Sequence, residues 1–460
     1  MTDLRQKERM MQQYENEMQH ALERYLEGSE DHELHASEVA YLLKKIRKED
    51  RDEFEDALTR LPQDARGDVI LELPEKLKDE AINFYSTKEL AEAVEGLESD
   101  DATDLVQDID EVDEDKSDAV IAHLDDDDRE EIEHLLHYEE DQAGAWMQTE
   151  LFDATLDERI EEARARLKRL KESGELENVH QVFIVNGERR LIATIPLEDV
   201  ILFDFDKTFR EQVDSKEFRS VEASDNIEDV ASMFEQFDLS VLPVVDRQGH
   251  LVGRITSDDI YDVIEERATG QIYNLAGVND DVEQDEDLLG IFKNRASWLF
   301  INLITAILAS IVIGMFDATL AAFVPLAILM PIVASMGGNA GTQTLTVMVR
   351  KMALGDIDVV NARQAVLKEF IVSLLNGLIF AILMGIVAFV WFDIPKLGLV
   401  IGLAMVINLM IAGVFGALIP LVLKRLNIDP AVGSTVILTT ATDVFGFLSF
   451  LGLASMILVA

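Results

Sequence analysis

The chain has 460 residues, 88 acidic and 40 basic side chains, a formal net charge of −48, 48% apolar residues and no cysteine. A surface this acidic repels phosphate backbones, which argues against nucleic acid as a partner. The missing thiol excludes disulfides, thiolate metal sites and a cysteine nucleophile. Residues 298–460 hold only seven acids and seven bases, so the first 297 residues hold 81 acids and 33 bases and carry the whole net charge. A strongly acidic soluble part is joined to a near-neutral apolar part. The opening stretch MTDLRQKERMMQQYENEMQH has no apolar core and does not read as a signal peptide.

Residues 1–142 read as an acidic helical domain. Leu58, Leu61, Ile70, Leu73, Leu77, Ile82, Leu90, Val94 and Leu97 recur at helix spacing. The breaks LPQD at 61–64 and LPEK at 73–76 predict short helices joined by tight turns, in a small right-angled stack or superhelix. Within it, residues 98–141 hold 21 acids against Lys116 and Arg129. Such a run is either a solvated face or a cation sensor. It is not an EF-hand, because Asp108, Asp110 and Asp113 lack the glycine and the glutamate that such a loop needs. His134 and His137, at helical spacing beside acids, offer a zinc alternative.

From 143 to 268 the pattern changes to alternating strands and helices. Residues 182–185 (VFIV), a turn at Asn186-Gly187 and residues 191–194 (LIAT) read as a β-hairpin. Residues 241–245 (VLPVV), a turn over 246–249 and residues 251–256 (LVGRIT) repeat it. A helix is expected before each hairpin (157–173 and 226–238) and another after it (197–203 and 257–267), giving two tandem α/β repeats. The second copy, LPVVDRQGHLVGRITSDDI, closely resembles a CBS domain, and VFIVNGERRLIATIPLEDV resembles one more weakly. That resemblance implies a regulatory module able to bind adenine nucleotides. Thr256 and Asp259 fit the Thr-x-x-Asp that holds ribose and phosphate, so ATP is a candidate ligand. The first copy has Thr194 but Leu197 in place of the acid. No Gly-rich P-loop is present to support ATP hydrolysis.

Residues 258–296 join this pair to the apolar part as a helix, DDIYDVIEERATGQIYNLAGV, and an acidic stretch, NDDVEQDEDLL. Residues 269–296 are assigned to a connecting helix that can sit against the mouth of a pore.

Residues 297–460 read as a membrane domain. A helix needs about 20 apolar residues to cross the hydrocarbon core. Five spans meet this, near 297–316, 322–348, 370–392, 397–422 and 433–458. Lys293, Arg295, Arg350, Lys351, Arg363, Lys368, Lys424 and Arg425 flank one side and Lys396 the other. The positive-inside rule then puts the acidic part in the cytoplasm and the C-terminus outside.

Asp443 lies mid-span, where an acid costs about 2.5–3.5 kcal/mol on insertion scales and is a functional candidate by default. Thr439 and Gly446 share its face. The second span carries MPIVASMGGNAGTQT. There Pro331 frees a carbonyl, Gly337, Gly338, Ala340 and Gly341 permit close helix contact, and Asn339, Thr342 and Gln343 add polar atoms. This pattern favours a pore wall, with Asp443, Thr439, Gly446, Asn339, Gly337 and Gly338 as the candidate ion path. With no histidine or cysteine in the membrane, oxygen ligands suit magnesium or calcium.

The order of these parts resembles the MgtE family of magnesium transporters and channels. Pro331, the Gly-Gly-Asn-x-Gly of 337–341 and Gln343 match its second-span signature. Asp429-Pro430 and the stretch from Asp443 to Gly446 match its last span, and the segment from Tyr138 to Gly144 with Met147 matches its first domain junction. The resemblance implies a homodimer in the lipid bilayer with one pore, in which Asp443 of each subunit holds a largely hydrated magnesium ion. It also implies magnesium sensing in the soluble part. By motif register, the sensing residues carry over to Asp100, Asp104, Glu228, Asp238, Asp259 and Asp262. Arg267, Gly270 and Gln271 depart from the acids that the family often places there. The residues alone leave two alternatives, a coupled exchanger and a receptor that senses divalent ions without moving them. No nucleophile–base pair supports an enzyme.

Overall fold

The structure is a computed structural model that describes residues 18, 20–27, 34–176, 178–213, 218–278, 288–355, 357, 362–426 and 428–459. The chain divides into two compact units between Ile264 and Glu265.

The first unit opens with short helices: α1 (Ala36–Glu49), α2 (Arg51–Arg60), α3 (Arg66–Leu71), α4 (Glu75–Phe84), α5 (Thr87–Val94), α6 (Ser99–Val112), α7 (Glu114–Ile121) and α8 (Asp126–Leu135). Their boundaries follow from local chemistry. Asp50 closes α1, and its carboxylate accepts from the amides of Asp52 and Glu53 to open α2. Pro74 precedes α4, and Ser86 with Glu89 forms a capping box at the start of α5. Among the residues expected inside, Leu58, Leu61, Ile70, Leu73, Ile82, Leu90 and Val94 are buried in one core with Phe54, Leu105 and Ile109, while Leu77 and Leu97 pack at its edge. Burying Leu58, Ile70, Ile82 or Leu90 contributes about 1.5–3 kcal/mol each, which short helices with many exposed charges need.

The α/β repeats follow. The first is β1 (Asp153–Thr155), α9 (Ile160–Ser173), β2 (Gln181–Val185), β3 (Leu191–Pro196) and α10 (Leu197–Ile201), after which a short α11 (Phe209–Gln212) intervenes. The second is β4 (Val221–Glu222), α12 (Ile227–Phe237), β5 (Val241–Val245), β6 (Leu251–Thr256) and α13 (Ser257–Ala276). Both three-stranded sheets pair their first strand parallel to the second and the third antiparallel. The hairpin registers match, Gln181 opposite Pro196 and Val241 opposite Thr256, with an irregularity before Val185 and again before Val245. The turns of the two hairpins meet, and Arg190 bridges His250. The strands β1 and β4 are too short for alternation to reveal.

The second unit holds α14 (Leu288–Gly314), α15 (Asp317–Ala322), α16 (Val324–Ala353), α17 (Ala362–Phe392), α18 (Pro395–Arg425) and α19 (Ser434–Ala454). Among the described residues, five helices are long and apolar enough to cross a membrane, the last continuing to Val459. Helix α18 is the central one, with 61% of its most apolar stretch buried, against 6% for α14 and 11% for α17. The helix that carries the first span begins at Leu288, ahead of 297, because Lys293 and Arg295 end an uncharged run without ending a helix. The helix expected over 258–278 is present. Helix α13 runs unbroken from Ser257, directly after β6, and stops at Gly277, which adopts φ +72°. The amide of Val278 donates to Tyr273 O at 3.0 Å and that of Gly277 to Asn274 O at 3.1 Å, a Schellman closure. Residues 279–287 of the acidic stretch lie outside the described residues.

Candidate functional site

The first unit gathers acids around the start of α6. The amide and hydroxyl of Ser99 donate to the Glu150 carboxylate at 3.0 and 2.9 Å, placing a remote acid at this helix N-terminus. The segment behind Glu150 is tied to β6, where Gln148 and Arg254 exchange backbone hydrogen bonds of 2.8 Å. Strand β6 then delivers Thr256, whose amide donates to Asp259 Oδ2 at 3.2 Å and whose hydroxyl donates to the same atom at 2.8 Å. Asp100 and Asp259, distant in sequence, thereby come under one another's charge.

The electrostatics record the crowding. Burial and then the charge of Asp259 push Asp100, only 6% exposed, well above the usual carboxylate range, and its Oδ1 has no hydrogen-bond partner. Burial, then Asp68 and Asp258, raise Asp101 to about 6. Burial, then Asp101 and Asp108, raise Asp104 to about 7, against the opposing pull of Lys78. Burial and Asp258 raise Asp259 to about 6, while the Thr256 hydroxyl opposes. Lys78 is bound to Asp108 at 2.9 Å. Arg254, 2% exposed, lies 3.9 Å from Glu98, and its Nε and Nη2 have no hydrogen-bond acceptor.

A buried, partly orphaned carboxylate among like charges is a deficit that a cation relieves. Among the described residues no three His, Cys, Asp or Glu side chains converge closely enough to coordinate a bare ion. An ion that keeps its water fits this spacing better than one that sheds it.

The other residues carried over by register lie apart. Glu228 is exposed in the first turn of α12 and Asp238 is its exposed C-cap at φ +50°. At 1.5 Å of rise per residue they stand about 15 Å apart, so they cannot share one ion within a chain. Asp262 is exposed on α13. His134 stacks edge-on against Tyr138 and His137 bonds the backbone of Glu133, so the pair does not converge on a metal. Thr256 is buried and engaged with Asp258 and Asp259 rather than open to a nucleotide. An open cleft of about 400 Å³ lies instead beside Thr194 of the first copy, where the Arg219 guanidinium stacks 3.6 Å from the Phe237 ring and Gln181 is aligned.

In the second unit, Asp443 is half-buried on α19 with Thr439 one turn before it. The Thr439 hydroxyl donates back to Thr435 O at 2.9 Å. Asn339, Thr342, Gln343 and Thr346 line an open groove on α16 at i, i+3, i+4 and i+7, which is one face. Gly338 borders open space. Gly337 and Gly446 do something else. Both face Asn408 of α18, which is fully buried and donates to Val333 O at 2.6 Å. A Cβ on Gly337 would lie 2.5 Å from Asn408 Nδ2, and one on Gly446 2.8 Å from Oδ1. The two glycines let three helices close around one amide. Sequence reading missed Asn408, Arg254 and Glu150. A lone polar residue in a 31-residue apolar helix and a charge inside a buried strand were the available signals.

Family profiles match in the same order. One described as a divalent cation transporter, MgtE, matches residues 330–453, the MgtE intracellular N domain matches 34–141, and a CBS domain matches 211–266. A magnesium transporter MgtE of Enterococcus faecalis is 30% identical over 443 residues, covering 91% of this chain and 97% of that one. Another, of Thermus thermophilus, is 33% identical over 339 residues, covering 73% and 74%. Among solved structures, the cytosolic domain of the Mg2+ channel MgtE in complex with ATP is similar at 29% identity and a TM-score of 0.47, over 50% of this chain and 91% of that one. The chain belongs to the MgtE family of magnesium transporters.

Proposed function

We propose that this magnesium transporter is a homodimeric channel of the cytoplasmic membrane, closed by cytosolic magnesium bound to its acidic unit, with that unit in the cytoplasm and the C-terminus outside. The observation that carries the gating is Asp100, a buried acid with an orphaned oxygen, raised by its burial and then by the charge of Asp259. At low magnesium these carboxylates repel. Hydrated ions held by Asp100, Asp104 and Asp259, with Asp262, Glu228 and Asp238 at the surface, offset the repulsion and draw the helical domain onto the second CBS copy. Moving such an equilibrium from 1:99 to 99:1 takes about 5.5 kcal/mol of differential binding, which several weak sites supply together.

The open polar face of α16 supports the pore. Asn339, Thr342, Gln343 and Thr346 cannot be left to lipid, so a second copy and water cover them. Asp443, Thr439 and Gly338 extend that path, while Gly337 and Gly446 set the helix spacing beside it. Adenine nucleotide binding belongs to the cleft at Thr194, Arg219 and Phe237, where a guanidinium suits phosphate and a ring suits the base.

The test is magnesium flux into liposomes, with Asp443→Ala beside the unaltered protein and magnesium varied on the side of the soluble unit. Flux lost in the variant and shut off cooperatively by magnesium on that side is expected. Flux indifferent to magnesium there would sink the gating reading. Flux that demands a counter-ion gradient would replace the channel with an exchanger.

A further inference from the structure

We propose that the end of α13 is latched to the membrane helices by contacts that need no divalent ion. The proposal deepens the gating reading, and rests on it only for its consequence. Residues 267–276, RATGQIYNLA, contain no acid. Three polar contacts of this segment pair a donor with an acceptor directly. Arg267 Nη2 donates to Ala353 O at 2.9 Å. That carbonyl ends α16, so it has no helical donor and sits at the negative end of the helix dipole. Asn274 Nδ2 donates to Asp429 Oδ2 at 3.0 Å. The Thr435 hydroxyl of α19 donates to Leu275 O at 2.5 Å.

Apolar contacts complete the latch. The Leu275 side chain packs against the cluster of Leu345, Val349, Ile419, Ala431 and Leu438, which joins α16, α18 and α19. Trp298 of α14 is held between two glycines in the left-handed region. A Cβ on Gly277 would lie 3.6 Å from its ring, and one on Gly433 3.1 Å. One short segment thus touches α14, α16, α18 and α19 without two carboxylates ever facing each other. Had an acid stood at 274, it would meet Asp429 and demand a bridging cation. The amide removes that demand. Magnesium is then required at the acids of the first unit and not at this contact.

The experiment uses the full chain in lipid nanodiscs with Trp146→Phe and Trp391→Phe, leaving Trp298 as the only tryptophan. Acrylamide quenching of Trp298 is read in EDTA and in saturating magnesium. The expected quenching constants are equal in the two, with a ratio near one. Arg267→Ala with Asn274→Ala raises quenching severalfold in both conditions. Asn274→Asp installs the ion requirement, with quenching high in EDTA and restored to the low value by magnesium. Shielding that appears only with magnesium in the parent overturns the proposal, as does an Asn274→Asp protein indifferent to magnesium. The second variant keeps the test open should the double alanine variant not fold. Equal quenching alongside magnesium-insensitive flux would remove the gating reading and leave the latch standing.

Discussion

The acids around α6 and the polar face of α16 are both candidate magnesium surfaces, and they are built from opposite materials. The first crowds carboxylates under burial until Asp101, Asp104 and Asp259 titrate near 6 to 7. The second offers hydroxyls and amides, with Asp443 as the acid nearest the middle of its helix. A sensor needs a large change in free energy per ion, which stored repulsion supplies. A path needs ions to leave, and neutral oxygen ligands hold a hydrated ion weakly enough for that.

Replacing the acid of the path should have the largest effect. Asp443→Ala is expected to abolish magnesium flux in liposomes while leaving the assembly intact by size-exclusion chromatography. Flux close to that of the parent would place the path elsewhere. Next come the glycines around Asn408. Gly337→Ala and Gly446→Ala each drive a methyl into a filled site, and overpacking of this kind costs about 1–3 kcal/mol. A fall in the melting temperature of the membrane domain checks it, and Asn408→Gly, which clears the space, should relieve it.

In the sensor the sign reverses. Asp104→Asn removes a carboxyl whose charge is disfavoured, so in EDTA the first unit gains stability, by an amount that water at the exposed side chain keeps small. The same change shifts channel closure, because an ion site is lost. Urea unfolding followed at the soluble transition measures the first effect, and flux the second.

The pH dependence follows the same sign. A carboxyl raised on folding binds protons more tightly in the folded state, so its stabilisation is full near its unfolded value of about 4 and is lost as pH rises towards 7. Without magnesium, the first unit should therefore grow more stable from pH 8 to pH 6. Magnesium binding there should release protons, read as buffer-dependent heats in calorimetry. The smallest effect belongs to exposed pairs. Breaking Lys88–Glu92, an i,i+4 contact at 2.8 Å on an exposed face, should leave the urea midpoint of the first unit where it is, because water screens the pair.

The sequence carried the order of the parts because each has its own period: helix spacing over 58–97, hairpin alternation in both repeats, long uncharged runs in the last third. It placed Asp443 because a mid-span acid stands out against apolar neighbours. It could not show that Asp100 comes under the charge of Asp259, since that proximity depends on Gln148 and Arg254 tying two distant segments. Nor could it separate Gly338, which borders open space, from Gly337, which is filled by Asn408. Neighbouring glycines in one motif have identical local signals and opposite surroundings. The continuous run of α13 was legible, since DDIYDVIEERATGQIYNLAGV reads as one helix and the single Gly270 costs it only about 1 kcal/mol.

The matched registers of the two hairpins relate the repeats by an approximate two-fold axis, on which Pro196 and Thr256 are equivalent positions. The counterpart of Asp259 is then Asp199 rather than Leu197, but Pro196 has neither the amide hydrogen nor the hydroxyl that Thr256 donates to its acid. An ion drawn to one of these positions and not the other pulls on only one half of a balanced pair. The response is then a tilt rather than a uniform contraction, and a scalar quantity, the magnesium concentration, is converted into a direction.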